Sequence, residues 1–426
     1  MNECLRSHAE QIIGCSIAHV MPGPAVERAL RDRDFGPGRL ILVAVGKGAW
    51  PMAKAAWDCL GERLEGGIVI TKQGQSGGAI GPLRVLEGAH PVPDETSFAA
   101  TEEVLALTQD LREGDTVLFL LSGGASALFE KPLIPPEELR DITGQLLSSG
   151  ADIVEVNTIR KRLSAVKGGR FALHCAPAKI FSVVLSDVVG DRLDMIASGP
   201  AAPDGSTCAQ ALEIAGRYGL KLSPRAGELL EVETAKALGN VETVVTGSVG
   251  ELCRGAAQTC RTLGYEPLLL TDCLSCEARE AGTFLANMAR SHQDAPTSLA
   301  LIAGGETVVR LTGKGKGGRN QELALSAARG IDGLRDTAVF SVGSDGTDGP
   351  TDAAGGYVDG ETLAALEARG LDVCAALREN DAYHALEAVG GLVVTGPTGT
   401  NVNDVAVALL DGRRPPAETA ARRALF

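Results

Sequence analysis

Four glycine-rich stretches carry the residues whose types and spacing could do chemistry. They read SGGASALFE (122–130), LSDVVGD (185–191), GGETVVRLTGKGKGGRNQE (304–322) and GSDGTDGPTDAAG (343–355). A shorter turn, Gly46-Lys47-Gly48, closes an apolar run at 40–45. Glycine lets backbone N–H groups approach an anion closely, and successive amides in such turns form anion-binding concavities. Several of these in one chain, each beside hydroxyl, carboxylate or basic side chains, point to a polyanionic ligand such as a nucleotide. Ser122, Gly123 and Gly124 offer consecutive amides, and Ser126 adds a hydroxyl. Ser186, Asp187 and Asp191 follow another apolar run. Carboxylates there suit Mg²⁺, which takes one or two of them plus phosphate oxygens and waters. They would equally suit helix caps or tight turns.

The segment VNTIRKRLSAVKGGRFA (156–172) reads as a helix ending at Gly168-Gly169. Arg160, Ser164 and Lys167 then share one face, as a solvated basic surface or as an anion site. In the C-terminal half, Gly304-Gly305-Glu306-Thr307 ends a strand, and Lys314, Lys316 and Arg319 occupy a glycine-rich hairpin or loop. Asn320-Gln321-Glu322 opens the next helix. Asp345, Asp348 and Asp352, and GPTGTNVND (396–404) with Gly396, Thr398, Asn401 and Asn403, read as irregular loops. EF-hand spacing does not fit the aspartates, because the glycine and terminal glutamate are misplaced.

Two familiar nucleotide signatures are missing. No Gly-Lys-Ser/Thr closes a phosphate loop anywhere. The dinucleotide fingerprint fails at Pro51, and the strand at 67–71 runs into Lys72 and Gln73 where an acidic residue is needed. Cys273-Leu-Ser-Cys276 is a lone pair, whereas a zinc ribbon needs a second.

The elements that must position these residues alternate regularly. Short β-branched runs at 39–45, 67–71, 116–121, 180–185, 241–246, 267–270, 298–303 and 337–342 read as strands. Blocks near 51–60, 94–109, 135–147, 208–218, 251–263 and 275–290 read as helices. The near-continuous apolar strands imply sheets covered on both faces. The expected fold class is α/β with two domains, each a mostly parallel sheet flanked by helices, the N-terminal one Rossmann-like. A helical start within 231–240, ending at Gly239-Asn240, places the boundary between 1–238 and 239–426. The sequence leaves open which domain receives the helical leader 1–36; the C-terminal half is one alternative. The tail from Asp411 reads as the end of the compact region.

The 426 residues exceed one ordinary core, and 44% hydrophobic with 22% charged residues is the composition of a globular chain. A net charge of −14 argues against nucleic acid as a partner. No apolar run has the length of a membrane span. Ten cysteines at irregular intervals, and a start without a signal-peptide pattern, read as reduced thiols in a cytoplasmic protein.

These motifs, in this order, resemble the class II glycerate 2-kinases, whose C-terminal module is called MOFRL. The resemblance runs from about residue 40 to about residue 410. It rests on GKGAWPMAKAA, GAHPVPDE, SGGASALFE, VNTIRKRLSAVKGGR, LSDVVGD with SGP, GGETVV, GGRNQELAL, SDGTDGPTDAAG and GPTGTNVND. It implies ATP-dependent phosphorylation of D-glycerate on the 2-hydroxyl, with Mg²⁺, in a cleft between two α/β domains, the MOFRL module spanning about 298–410. It puts the catalytic lysine at Lys47 and the catalytic arginine at Arg319. On that footing Ser122–Ser126 and 396–403 would cradle ATP, and Asp187 or Asp191 would hold Mg²⁺. Arg160 or Lys161 would take the glycerate carboxylate, Glu306 would lie at the substrate, and Asp187 would orient or deprotonate the hydroxyl. Ala125 and Cys276 stand where the family often has glycine. A monomer and a homodimer are both compatible. The competing readings are an NAD(P)H-linked hydroxypyruvate reductase and a non-catalytic nucleotide or sugar-acid sensor.

Overall fold

The computed structural model describes residues 1–412, which fall into two compact units. The first, Pro22–Gly247, holds β1 (Leu40–Val45), β2 (Gly66–Lys72), β3 (Arg84–Gly88), β4 (Thr116–Leu121), β5 (Lys179–Leu185) and β6 (Val241–Gly247). Their order is 3-2-1-4-5-6, and the pairings are parallel. β1 and β4 are buried along their whole length. One face packs on a cluster that includes Phe119, Phe129 and Phe171, the other on the helix Ala49–Leu60. That strand order reverses direction between β1 and β4, where an open α/β sheet leaves a crevice at its carboxyl edge.

The expected boundary at 238/239 is displaced. β6 pairs in parallel with β5, Val241 opposite Ile180, so the unit closes only at Gly247. The expected helical start within 231–240 also shifts. The helix is Pro224–Leu230, capped by the Ser223 side chain, and turns follow it. Asp94 caps the helix Glu95–Leu107, accepting from the amides of Thr96 and Ser97.

The second unit combines Met1–Met21 with the chain from Ser248 onward. The leader is therefore divided: the helix Glu3–His19 joins this unit, and Pro22 begins the first. Its strands are β7 (Glu266–Leu274), β8 (Leu299–Gly305), β9 (Thr337–Gly343), β10 (Gly355–Asp359), β11 (Leu392–Val393) and β12 (Asp404–Leu410). They lie in the order 11-10-9-12-8-7. Among the described residues only β7 and β8 pair in parallel, so the mostly parallel sheet expected here is corrected to a mixed one. The physical reason is β12, an apolar run that inserts between β8 and β9 antiparallel to both. Side-chain pattern alone carries no strand direction. Helices Glu3–His19 and Val249–Thr262 cover one face, and Ala278–Ser291 and Arg319–Gly330 the other. Among the described residues no helix is long and apolar enough to cross a membrane. Most of the tail expected to end the compact region lies outside the described residues; β12 itself runs to Leu410.

Candidate active site

At the crevice of the first unit, the turns after β1 and β4 are stitched together. The Lys47 amide donates to the Gly123 carbonyl at 2.9 Å, and the Gly48 amide to Ser122 Oγ at 2.9 Å. The Ser122 hydroxyl is thus occupied in holding the lysine turn. Lys47 itself is exposed. Gly124 has φ +86°, and a Cβ there would lie 3.1 Å from His90 Cδ2 and 3.2 Å from Lys47 Cε. A Cβ on Gly123 would meet Asp187 Oδ2 at 2.5 Å. The positive φ favours glycine at 124, and a side chain at either position would push against Lys47, His90 or Asp187, which close on this turn. Lys47, His90 and Asp187 come from the carboxyl ends of β1, β3 and β5.

Burial, then the charges of Lys47 and Lys72, lower the His90 pKa, against the opposing pull of Asp187. The imidazole is therefore neutral at pH 7. Asp191, at φ 48°, donates its amide to the Val188 carbonyl in the same loop as Asp187. Among the described residues no group of three or more His, Cys, Asp or Glu side chains forms a metal cage. Mg²⁺ at a phosphate site needs only one or two carboxylates, so Asp187 against the Gly123 backbone still fits its chemistry.

The basic segment departs from expectation. Its helix, Ile153–Arg162, opens with a capping box between Asp152 and Glu155 and stops before Ser164. Lys161, Arg162 and Lys167 are buried rather than solvated. Lys161 Nζ lies between Asp204 (3.0 Å) and Asp194 (3.2 Å). Burial alone would raise the Asp204 pKa. Hydrogen bonds from Thr234 and the Ser206 amide, then Lys161, outweigh it and hold the carboxyl at about 2. Lys161 is thereby committed to the fold, which corrects its assignment to a substrate carboxylate. Arg160 remains part-exposed, with Nη2 on the Ser126 carbonyl at 3.3 Å. Ser126 Oγ meets Ser198 Oγ at 3.3 Å.

The second unit gathers its polar residues at the carboxyl ends of β8 and β9. Because β12 is antiparallel, its first residue, Asp404, pairs with both Gly305 and Gly343. Arg319 opens the helix Arg319–Gly330 and forks onto Asp404, with Nε–Oδ2 at 2.6 Å and Nη2–Oδ1 at 3.0 Å. Its Nη1 reaches Glu306 at 2.9 Å. Burial opposes the guanidinium charge, yet Asp404 first and Glu306 next hold its pKa above the ordinary value. Burial raises Asp404 as well, against the pull of Arg319. Glu306 is therefore a partner of Arg319. Asp348 caps the same helix from a distance, accepting from the amides of Asn320 (3.1 Å) and Gln321 (2.8 Å). Burial pushes its carboxyl up to about 7.

The 396–403 segment folds against the loop after β9. Thr398 Oγ1 donates to the Ser344 carbonyl at 2.6 Å, and Asn401 Oδ1 accepts from the Asn403 amide. Asn403, at φ 65°, accepts the Ser344 amide, and Gly396 has φ 68°. Lys316 Nζ lies 3.7 Å over the Tyr383 ring, whose hydroxyl donates to Asp352. Sequence reasoning named neither His90 nor Asp404 as a site residue, although GAHPVPDE and GPTGTNVND contain them. The usable signal was each residue's place beside a strand, β3 and β12, that the reading passed over.

A parallel 3-2-1-4-5-6 sheet with a lysine turn at its reversal point, in one chain with a mixed sheet that holds an arginine at its strand ends, defines a two-unit α/β protein. Residues 8–231 match the family described as Domain of unknown function (DUF4147), and residues 299–404 the MOFRL family. The chain is 50% identical over 414 residues to D-glycerate 2-kinase of Thermotoga maritima, covering 96% of this chain and 99% of that one. A crystal structure of glycerate kinase from Thermotoga maritima matches with a TM-score of 0.91 and 49% identity, over 96% of this chain and all of that one. A relative from Agrobacterium vitis, 39% identical over 95% of this chain and 94% of its own, carries the provisional name hydroxypyruvate reductase. This chain belongs to the MOFRL-containing glycerate 2-kinase family.

Proposed function

We propose that the chain transfers the γ-phosphoryl group of ATP to the 2-hydroxyl of D-glycerate, yielding 2-phosphoglycerate and ADP. The observation that carries this reading is the convergence of Lys47, His90 and Asp187 on Gly123-Gly124 at the reversal point of the first sheet. Phosphoryl transfer demands positioning and charge neutralisation more than covalent chemistry, and this crevice offers both. Lys47 neutralises charge on the transferring group, and Arg319 is the second unit's residue for the same task. The Ser122–Ser126 turn and the 396–403 segment are assigned to the nucleotide. Asp187, with Asp191 beside it in sequence, would hold Mg²⁺, which supplies charge neutralisation across phosphate oxygens. Orienting the acceptor hydroxyl is proposed for Asp187 too. Arg160 is the candidate for the glycerate carboxylate, since a planar guanidinium holds a carboxylate bidentately.

A nicotinamide-linked reaction lacks its handle in this crevice. β2 ends at Lys72, where a dinucleotide site needs an acid for the ribose hydroxyl. Incubation with glycerate and Mg·ATP, followed by NMR identification of the phosphorylated carbon, tests the reading. Phosphate on carbon 2 is expected. Absence of turnover, or oxidation of NADH with hydroxypyruvate, would overturn it.

A further inference from the structure

Beneath the turn after β4 lies a buried charge cluster whose lysine and glutamate, Lys167 and Glu130, the kinase reading leaves unused. Lys167 is fully buried, and its Nζ donates to the carbonyls of Ser126 (2.8 Å) and Phe129 (3.0 Å). Arg160 reaches the same Ser126 carbonyl. Glu130, also fully buried, lies 3.5 Å from Lys167 and 3.7 Å from Arg160. Neither of its oxygens has a hydrogen-bond partner. Buried ion pairs are poor stabilisers, and well-packed apolar residues often replace them without loss. Cohesion alone therefore does not account for this cluster. Its directional effect is to fix two carbonyls at the far end of the short helix Ala125–Leu128. The near end of that segment is the turn on which the amides of Lys47 and Gly48 rest.

We propose that Lys167 is a positioning residue for Lys47: held by Glu130 and assisted by Arg160, its ammonium locks the Ser126 and Phe129 carbonyls, and through them the Ser122–Gly124 turn. This rests on the kinase reading of the site. Burial brings the Lys167 pKa down to about 8, against the pull of Glu130, while Arg160 adds to the lowering. Those two are the charged groups facing the ammonium. As the pH passes about 8 the clamp loses its charge and Glu130 loses its compensation.

The test uses the full chain with glycerate and Mg·ATP, measuring kcat and KM from pH 6 to 10. Wild type, Lys167→Arg, Lys167→Met and the double variant Glu130→Gln/Lys167→Met are compared. Wild-type kcat is expected to fall with a midpoint near pH 8, and Lys167→Arg to move that limb upward, since guanidinium stays charged. The double variant removes both charges together, so it leaves no buried carboxylate without its cation, as Lys167→Met alone does. It is expected to melt within a few degrees of wild type, with kcat at least tenfold lower, KM for glycerate within threefold and no limb near pH 8. A substrate-free readout separates this inference from the kinase reading. Hydrogen exchange at the Lys47 and Gly48 amides should quicken at least tenfold in the double variant. Unchanged exchange, wild-type kcat in the double variant, or an unmoved limb in folded Lys167→Arg would each overturn the proposal. Wild-type protein inactive on glycerate would overturn the kinase reading, while the exchange result still decides whether Lys167 sets the turn.

Discussion

Replacing Asp348 with asparagine removes a buried ionisable group while keeping its shape. Asp348 is 3% exposed, and its carboxyl titrates at about 7 against an ordinary 3.8. Between those values the unfolded chain has already released a proton that the folded protein retains. The folded state then binds more protons, so stability falls as pH rises through that window. A shift of about three units corresponds to about 4 kcal/mol in all, of which the span from pH 5 to pH 7 carries about 2 kcal/mol, since the folded carboxyl is already half titrated at the upper end. Asparagine exchanges no proton, and its Oδ1 still accepts the Gln321 amide. Unfolding would be followed at half-unit steps from pH 4.5 to 8.5 in wild type and Asp348→Asn, and the difference taken so that shared titrations cancel. The variant should gain on wild type by about 2 kcal/mol between pH 5 and 7, levelling off above pH 8. Parallel curves, or a gain in the opposite direction, would refute the assignment of burial as the dominant force on Asp348.

Lys47→Ala and Arg319→Ala should each lower kcat by about three to five decades, as loss of transition-state charge neutralisation predicts; the melting temperature should hold in Lys47→Ala and fall in Arg319→Ala, which leaves the buried Asp404 without its cation, and near-native turnover in either would remove that residue from the mechanism. Lys161→Met should cost about 3–5 kcal/mol of stability, because Asp204 would be left buried without its cation. In the folded fraction its KM for glycerate should match wild type, and a selective rise in KM would restore it as a substrate ligand. Gly124→Ala forces a side chain into φ +86° against His90 and Lys47, a strain of roughly 1–2 kcal/mol. Its kcat should drop about tenfold, read by steady-state assay; full activity would show that the turn tolerates a Cβ.

The first unit was legible because its strands are short apolar runs ending in glycine turns, and a parallel buried sheet writes itself that way. β3 escaped, since RVLEG is only partly buried and shows no clear alternation; with it went His90. In the second unit, strand positions could be read but direction could not. β12 follows a loop rather than a helix, so counting βα units missed the residue that holds Arg319. The basic segment misled for another reason. Five cations look solvated in a linear string, and only coordinates reveal that Lys161, Arg162 and Lys167 have buried acceptors and carboxylates waiting for them. Those partners are distant in sequence, at Glu130, Asp194 and Asp204.

The helix Glu3–His19 is synthesised well before the residues it packs against. Its apolar face of Leu5, Ala9, Ile12, Ile13 and Ile17 is covered by Val249, Leu252 and Ala256 and by the sheet behind them. At ribosomal speeds of about 5–20 residues per second, that face waits roughly 12–50 seconds for the helix Val249–Thr262 and roughly 20–80 seconds for the last strand of the sheet. The intervening unit, Pro22–Gly247, is contiguous and can close in the meantime. Nascent chains should therefore show this helix with its greasy face exposed beside an already protease-resistant body, and holdase chaperones would find their grip on Glu3–His19.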